Sequence, residues 1–376
     1  MLTSPITILH VVDSLEPGGM ENGVVNVARL LDPEEFQLRV CCLRSAGEFA
    51  ARLPGHVTVH ALDKRPGFSV GTAFRLARVM AKIKPDILHT HNLGPLIYGS
   101  LAKAFGQWPP ILHGEHGVLD DEELTPRRMR QRRWLYHGCR RVHTVSESLR
   151  QHLVDLGFPA TKIEAVVNGV DTQRFAPGDR AAVRRQLGIA VDGLWIGMIG
   201  RFTPFKRHAL LLDAFAVLAR RMNNVRLVIV GGGGAEQENV NRQARASDAT
   251  ARIHLAGFQN DPAPFYQAMD LLVFPSVNEG LSNAVLEAMA TGVPVLCHNA
   301  CGNAEVITPG EDGLIASLGS VEELVAQLEQ ALSAPTNLTL MGKKARAKVA
   351  TKFSLAAMAE HYARLYRELA FSRRVG

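Results

Sequence analysis

The chain has 376 residues, 47% of them hydrophobic and 21% charged, with a formal net charge of +6. That length suits two ordinary domains, and the composition is that of a globular chain able to bury a large core. No run of about 18 uncharged apolar residues occurs, so no membrane span is expected, and so modest a charge does not call for nucleic acid.

The opening "MLTSPITILHVV" lacks a basic leader and reads as a first strand, which places the protein in the cytoplasm. Five cysteines suit a reducing compartment. "CHNAC" at 297–301 holds one metal-like pair without a second, so no structural zinc site is read there. Along the first half, "ITILHVV", "FQLRVCCL", "HVTVHAL", "DILHTH", "ILHGEH" and "RVHTVS" read as strands. Amphipathic stretches such as "MENGVVNVARLL" and "GTAFRLARVMAKI" lie between them. That alternation predicts a mostly parallel sheet covered by helices.

Turn residues then cluster near 168–180, with Asn168-Gly169 and Pro177-Gly178. A second series follows: "LWIGMIG", "VRLVIVGGGG", "RIHLAGF", "LLVFPS" and "VPVLCH", with helices such as "HALLLDAFAVLARRM" and "SNAVLEAMA". The expected domains are 1–172 and 173–354, with a terminal helix over about 355–376 returning to the first. In such sheets ligands bind beyond the carboxyl ends of the strands, so a cleft between two Rossmann-like halves is the expected site.

Four groups of residues carry candidate chemistry. Gly18-Gly19 follows the first strand and opens a helix, where backbone amides suit an anion or simply make a tight turn. Gly-x-Gly-x-x-Gly is absent, which counts against a nicotinamide dehydrogenase. Arg201 and Lys206 share the loop after "LWIGMIG" and could clamp a diphosphate. Gly280, Leu281, Ser282 and Asn283 open a helix whose N-terminal amides suit phosphate. Glu279 precedes that helix, and Glu287 lies one turn beyond Asn283, on the same side. A ribose, with two adjacent hydroxyl donors, would satisfy a partly buried carboxylate there. The fourth group is "TPRRMRQRRWLYHGCRR", with seven arginines and no acid. In it Arg127, Arg128, Arg130, Arg132, Arg133 and Trp134 read as a patch for an anionic membrane surface or acceptor, or as a solvated helix balanced by "DDEE" upstream.

Glu279 and Glu287, with seven residues between them, resemble the paired-glutamate motif of the retaining glycosyltransferases of family 4, which have the GT-B fold. The resemblance extends through "HTHN" at 89–92, "GEHG" at 114–117, "TVSESL" at 144–149, "NGVD" at 168–171, "GNAEVI" at 302–307 and "GEDG" at 310–313. "EGLSNAVLEAMATGVPV" is especially similar to sugar transferases of bacterial exopolysaccharide systems. The resemblance implies an α/β GT-B architecture, two Rossmann-like doubly wound domains facing a central cleft. It implies transfer of a hexosyl unit from a UDP- or GDP-linked sugar to a lipid-linked or glycan acceptor, with no metal and no cofactor, the nucleotide-sugar being a substrate. Glu287 would hold the donor ribose and Glu279 the transferred sugar. Arg201, Lys206, the Gly19 amide and the 281–284 amides would hold the diphosphate, and His116 would lie near the sugar. His89 and His91 are read as structural. Where the family often has glycine after the lysine, Arg207 follows here. A nucleotide-sugar 2-epimerase and a catalytically silent subunit of the same architecture are the alternatives.

Overall fold

The computed structural model describes residues 4–106, 109–119, 121–277, 279–299 and 301–375, without the side chains of Cys301 and of residues 372–375. The chain divides into two compact units, residues 1–168 with 355–376, and 169–354.

The first unit holds seven strands: β1 (Ile6–Val12), β2 (Phe36–Cys42), β3 (Thr58–Ala61), β4 (Ile87–His91), β5 (Ile111–Glu115), β6 (Arg141–Thr144) and β7 (Ile163–Ala165). They form one parallel sheet in the order β3-β2-β1-β4-β5-β6-β7. Ile8 pairs with Leu38 of β2 on one side and with Ile87 of β4 on the other, so the sequence order reverses at β1. Both faces are covered, and the strands accordingly read as nearly continuous apolar runs. The terminal helix Leu355–Val375 belongs to this unit: Met358, Tyr362, Leu365, Tyr366 and Leu369 recur at helical spacing and pack with Ile6, Ile8, Val24 and Phe36. Burying each such side chain contributes about 1.5–3 kcal/mol.

The second unit repeats the plan with β8 (Leu194–Ile199), β9 (Val225–Val230), β10 (Ile253–Gly257), β11 (Leu271–Phe274), β12 (Val295–His298) and β13 (Leu314–Ala316), in the order β10-β9-β8-β11-β12-β13. This is the doubly wound nucleotide-binding order, with its reversal between β8 and β11. The core joins Ile196, Met198, Leu227 and Val273 to Leu211, Phe215 and Leu218 of the helix His208–Arg221. The glycine run after β9 is structural at two points. Gly231 (φ +146°) lies against the Gly200 carbonyl and Gly234 (φ +87°) against that of Phe202, and a Cβ on either would overlap those atoms. The run therefore holds the loop carrying Arg201 and Lys206 in place.

Candidate active site

At the β8/β11 switch point the second unit brings a cation and a carboxylate together. Lys206 ends a short turn after β8 and Glu279 follows β11, 73 residues later. The Lys206 ammonium donates to Glu279 Oε1. Ser276 Oγ donates to the same oxygen at 2.7 Å, and the ammonium lies 4.7 Å from the Phe274 ring centre. Both side chains of the pair are mostly buried, so neither charge could be removed without leaving the other poorly solvated. Arg201 is exposed in the same loop. Arg207, where the resembled family favours glycine, adopts the left-handed conformation (φ +59°) that glycine takes freely. Its guanidinium donates to Leu318 O at 3.1 Å, which anchors the turn.

The helix Asn283–Thr291 begins beside this pair. Ser282 is its N-cap and makes no side-chain capping bond, so the first-turn amides are not consumed by it. Leu281 and Ser282 are buried, and Gly302 packs so closely on Gly280 that a Cβ would overlap its carbonyl. Glu287 is half-buried on the same helix, where Tyr266 Oη donates to its Oε2 at 2.8 Å. Burial raises the Glu287 carboxyl to about 7, against the opposing pull of Tyr266 and Arg174. Such a carboxylate is short of hydrogen-bond donors. Tyr266, Ser276 and Arg174 carry no motif of their own and were not singled out in the sequence. Only an acid inside an apolar helix signalled that partners of this kind must exist.

In the first unit Gly18 is the N-cap of the helix Gly19–Leu30. The Glu21 carboxylate sits in the space a Gly18 Cβ would take, so this turn already carries a negative group of its own. His116 follows β5 and is half-buried, and burial holds its imidazole down at about 4. His116 is one of a cluster. His10 of β1, His89 and His91 of β4 and His143 of β6 share one face of the sheet, two residues apart on β4 as strand geometry requires. His10 Nδ1 lies 3.0 Å from His91 Nε2, and His91 Nδ1 lies 2.9 Å from His116 Nε2. His89 Nε2 lies 2.8 Å from His143 Nε2, and its Nδ1 lies 2.9 Å from Tyr366 Oη of the terminal helix. Burial pushes His10 down to about 3, and His89, His91 and His143 well below the usual imidazole range. These rings are neutral near pH 7. The sequence reading gave His89 and His91 a structural place but missed His10 and His143, which only the sheet brings to them.

The arginine patch needs one correction. Arg127, Arg128, Arg130, Arg133 and Trp134 are exposed on the helix Pro126–His137, but Arg132 is fully buried with Met129, Leu135 and Tyr136. Its guanidinium donates to Glu115 Oε2 at 2.5 Å and Glu123 Oε1 at 2.6 Å, and Tyr136 Oη also donates to Glu115. Burial alone would raise the Glu115 carboxyl, but His113, Arg132 and Tyr136 outweigh it and hold it at about 2. Arg132 cannot meet a lipid or an acceptor, because a guanidinium placed among apolar side chains is kept there by its carboxylates.

Two parallel doubly wound units, one with a cation–carboxylate pair at its switch point, have the architecture of the two-domain GT-B fold. Residues 179–348 match the family "Glycosyl transferases group 1" and residues 17–174 match "Glycosyltransferase Family 4". The chain belongs to the family 4 glycosyltransferases. It is similar to the UDP-Gal:alpha-D-GlcNAc-diphosphoundecaprenol alpha-1,3-galactosyltransferase of Escherichia coli (24% identical, covering 98% of this chain and 99% of the relative). It is also similar to a D-inositol 3-phosphate glycosyltransferase of Thermobispora bispora (27% identical, 94% and 90% covered). In fold it resembles HepE of Anabaena, solved in complex with UDP and glucose (TM-score 0.85, 21% identical, 96% and 99% covered). Among the described residues no helix is long and apolar enough to cross a membrane.

Proposed function

We propose that the protein moves a hexosyl unit from a UDP-linked sugar to a hydroxyl of a lipid-linked saccharide, with retention at the anomeric carbon. The observation that carries this reading is the Lys206–Glu279 pair at the β8/β11 switch point, followed by the helix that bears Glu287 and whose N-cap Ser282 makes no side-chain capping bond. Glu287 is assigned to the ribose hydroxyls, which supply the donors its second oxygen can accept. Arg201, Lys206 and the amides of residues 281–284 are assigned to the diphosphate, with no divalent ion in that role. Glu279 is assigned to the transferred sugar, which requires it to exchange its contact with Lys206 for sugar hydroxyls as the lysine turns to phosphate. His116 is assigned to the sugar and the Gly19 amide to the diphosphate.

In the step itself the bond from the anomeric carbon to the diphosphate oxygen breaks, and the acceptor oxygen bonds to the same face of that carbon. The acceptor proton passes to the departing phosphate. Charge gathering on the diphosphate is met by Arg201, Lys206 and the helix-end amides, which is where preorganised donors lower a barrier most. UDP and the lipid-linked acceptor are carried over from the name of the E. coli relative.

A peripheral place at the cytoplasmic face of a membrane fits the same acceptor. Arg127, Arg130 and Trp134 lie on the side of their helix opposite Met129, Arg132 and Tyr136, Arg133 lies at the edge of that side, and Trp134 is 72% exposed. Cations with an aromatic ring among them suit an anionic lipid surface. The deciding experiment offers a panel of nucleotide-sugars with and without lipid-linked saccharides, following nucleotide release and product mass. A glycosylated lipid of retained configuration supports the proposal. Release of a 2-epimer without acceptor would replace it with the epimerase reading.

A further inference from the structure

We propose that His91, His116 and His143 form a binding site for one divalent transition-metal ion of the zinc type. Their ligand nitrogens lie within 4.8 Å of one another. His116 and His143 also converge on one spot. The position a Gly114 Cβ would occupy is 2.6 Å from His143 Nε2 and 2.7 Å from His116 Nε2. Any residue but glycine would therefore fill the space these nitrogens face. A zinc ion there needs the rings to close by roughly half an ångström to reach the usual Zn–N length of about 2.0–2.1 Å. His91 Nδ1, already 2.9 Å from His116 Nε2, completes the triad.

Three further observations favour an ion over a purely packed cluster. An all-imidazole donor set matches borderline divalent ions such as zinc and cobalt, and excludes magnesium and calcium, which take oxygen. One ligand has an orienting neighbour: His10 Nδ1 lies 3.0 Å from His91 Nε2, the outer contact that fixes a ligating ring. A small cavity of about 10 Å³ beside His91 and His116, also lined by His10, His89 and Asn168, gives barely the room one water needs as a fourth ligand. His143 would exchange its contact with His89 for the ion, while His89 keeps Tyr366. The site shares His116 with the proposed sugar contact, but metal uptake is read without any nucleotide-sugar, so its failure leaves the sugar-transfer reading standing.

The test uses the full chain without a polyhistidine tag, dialysed against zinc or cobalt and then against metal-free buffer. Metal content is read by mass spectrometry and cobalt binding by its visible absorption. One equivalent of zinc and the intense bands of tetrahedral cobalt are expected. His143→Ala and Gly114→Ala should each weaken cobalt binding by roughly 100-fold or more, above the 10–100-fold typical of losing an outer-shell partner. His254→Ala, changing a half-buried histidine of β10 in the second unit, should leave binding unchanged. Circular dichroism checks that each variant folds. If the parent chain takes up no metal, or if folded Gly114→Ala binds it normally, the histidines are a neutral hydrogen-bonded cluster only and the proposal is overturned. The parent measurement decides the matter even if both variants misfold.

Discussion

The two units share a plan of parallel strands around one switch point but place their polar groups differently. In the second unit Lys206, Glu279 and Glu287 stand at the carboxyl ends of β8 and β11 and on the next helix, with Arg201 exposed in the loop. In the first, five histidines, Tyr362 and Tyr366 gather along β1, β4 and β6 and just past β5, mostly buried and neutral. Its buried charges Arg132 and Glu115 pair with each other behind the sheet. A charged open loop can meet a charged mobile ligand, whereas a neutral buried cluster can only orient rings or hold something small. The same topology therefore supports two chemistries, set by which residue types end the strands.

The sharpest test of that contrast is to remove the buried charge. Arg132→Met leaves Glu115 among apolar side chains and should destabilise the protein by about 3–5 kcal/mol. The exposed control Arg130→Gln should stay within about 0.5 kcal/mol. Thermal or denaturant unfolding of both variants measures this, and equal stability would mean that Arg132 lies at the surface. The same network makes a statement about acid. Glu115 has a folded-state value depressed to about 2, so its contribution is present above its unfolded value and lost as pH falls through about 2.

Next in size is the loop of the second unit. Lys206→Ala and Arg201→Ala should each lower kcat/KM by roughly 10²-fold, the scale of losing one charge-stabilising donor. Stability should change little for Arg201→Ala, since that side chain is exposed. A variant that transfers sugar at the parent rate would show that the diphosphate is held elsewhere.

Much of this was legible in the sequence, for identifiable reasons. The eleven strands read from apolar runs all appear; in most of them residues buried on both faces leave an unbroken signal, while β3 and β10 are only partly buried. β7 and β13 were missed, being three residues each and too short for any period to show. The Glu279–Glu287 spacing was readable because both residues belong to one loop and helix. The contact of Glu279 with Lys206 was not, since only the adjacency of β8 and β11 creates it. Arg132 was misplaced for want of a helical projection: Met129 and Tyr136, three before and four after, put it on their buried side. The histidines give a local hint in "HTH" and "HGEH", two neighbours on one strand and a ring just past another. Their meeting with His10 and His143 depends on the strand order β1-β4-β5-β6.

A smaller effect follows from the raised Glu287 carboxyl. Its folded-state value, about 7, lies above the ordinary 4.5. Its contribution to stability is therefore full at low pH and lost as pH rises through about 7. Ribose hydroxyls need the ionised form as acceptor, so donor binding should run the other way. Affinity for UDP should rise roughly tenfold from about pH 6 to about pH 8, by linkage to that ionisation. Calorimetry across this range should show the slope in the parent and a flat, weaker response in Glu287→Gln. An unchanged slope in the variant would remove Glu287 from the ribose.

The smallest expected effect concerns the exposed side of the first unit and asks whether its open charges serve a surface as those of the second serve a ligand. Each cation near an anionic membrane contributes about 1 kcal/mol, so one arginine is worth about fivefold in partitioning. The effect should differ among the arginines. Arg133 already donates to Leu156 O at 3.1 Å and is partly committed to the protein, whereas Arg127 and Arg130 flank Trp134 on the open face. Arg127→Gln and Arg130→Gln should therefore weaken binding to vesicles of anionic lipid more than Arg133→Gln. Trp134→Ala should weaken it while leaving its salt dependence intact, because its contribution is apolar. All of the arginine differences should shrink as salt shortens the Debye length to a few ångströms. Co-sedimentation of the single variants at low and high salt measures this order, and equal binding by all four, or none by the parent, would leave the arginine face as a solvated helix.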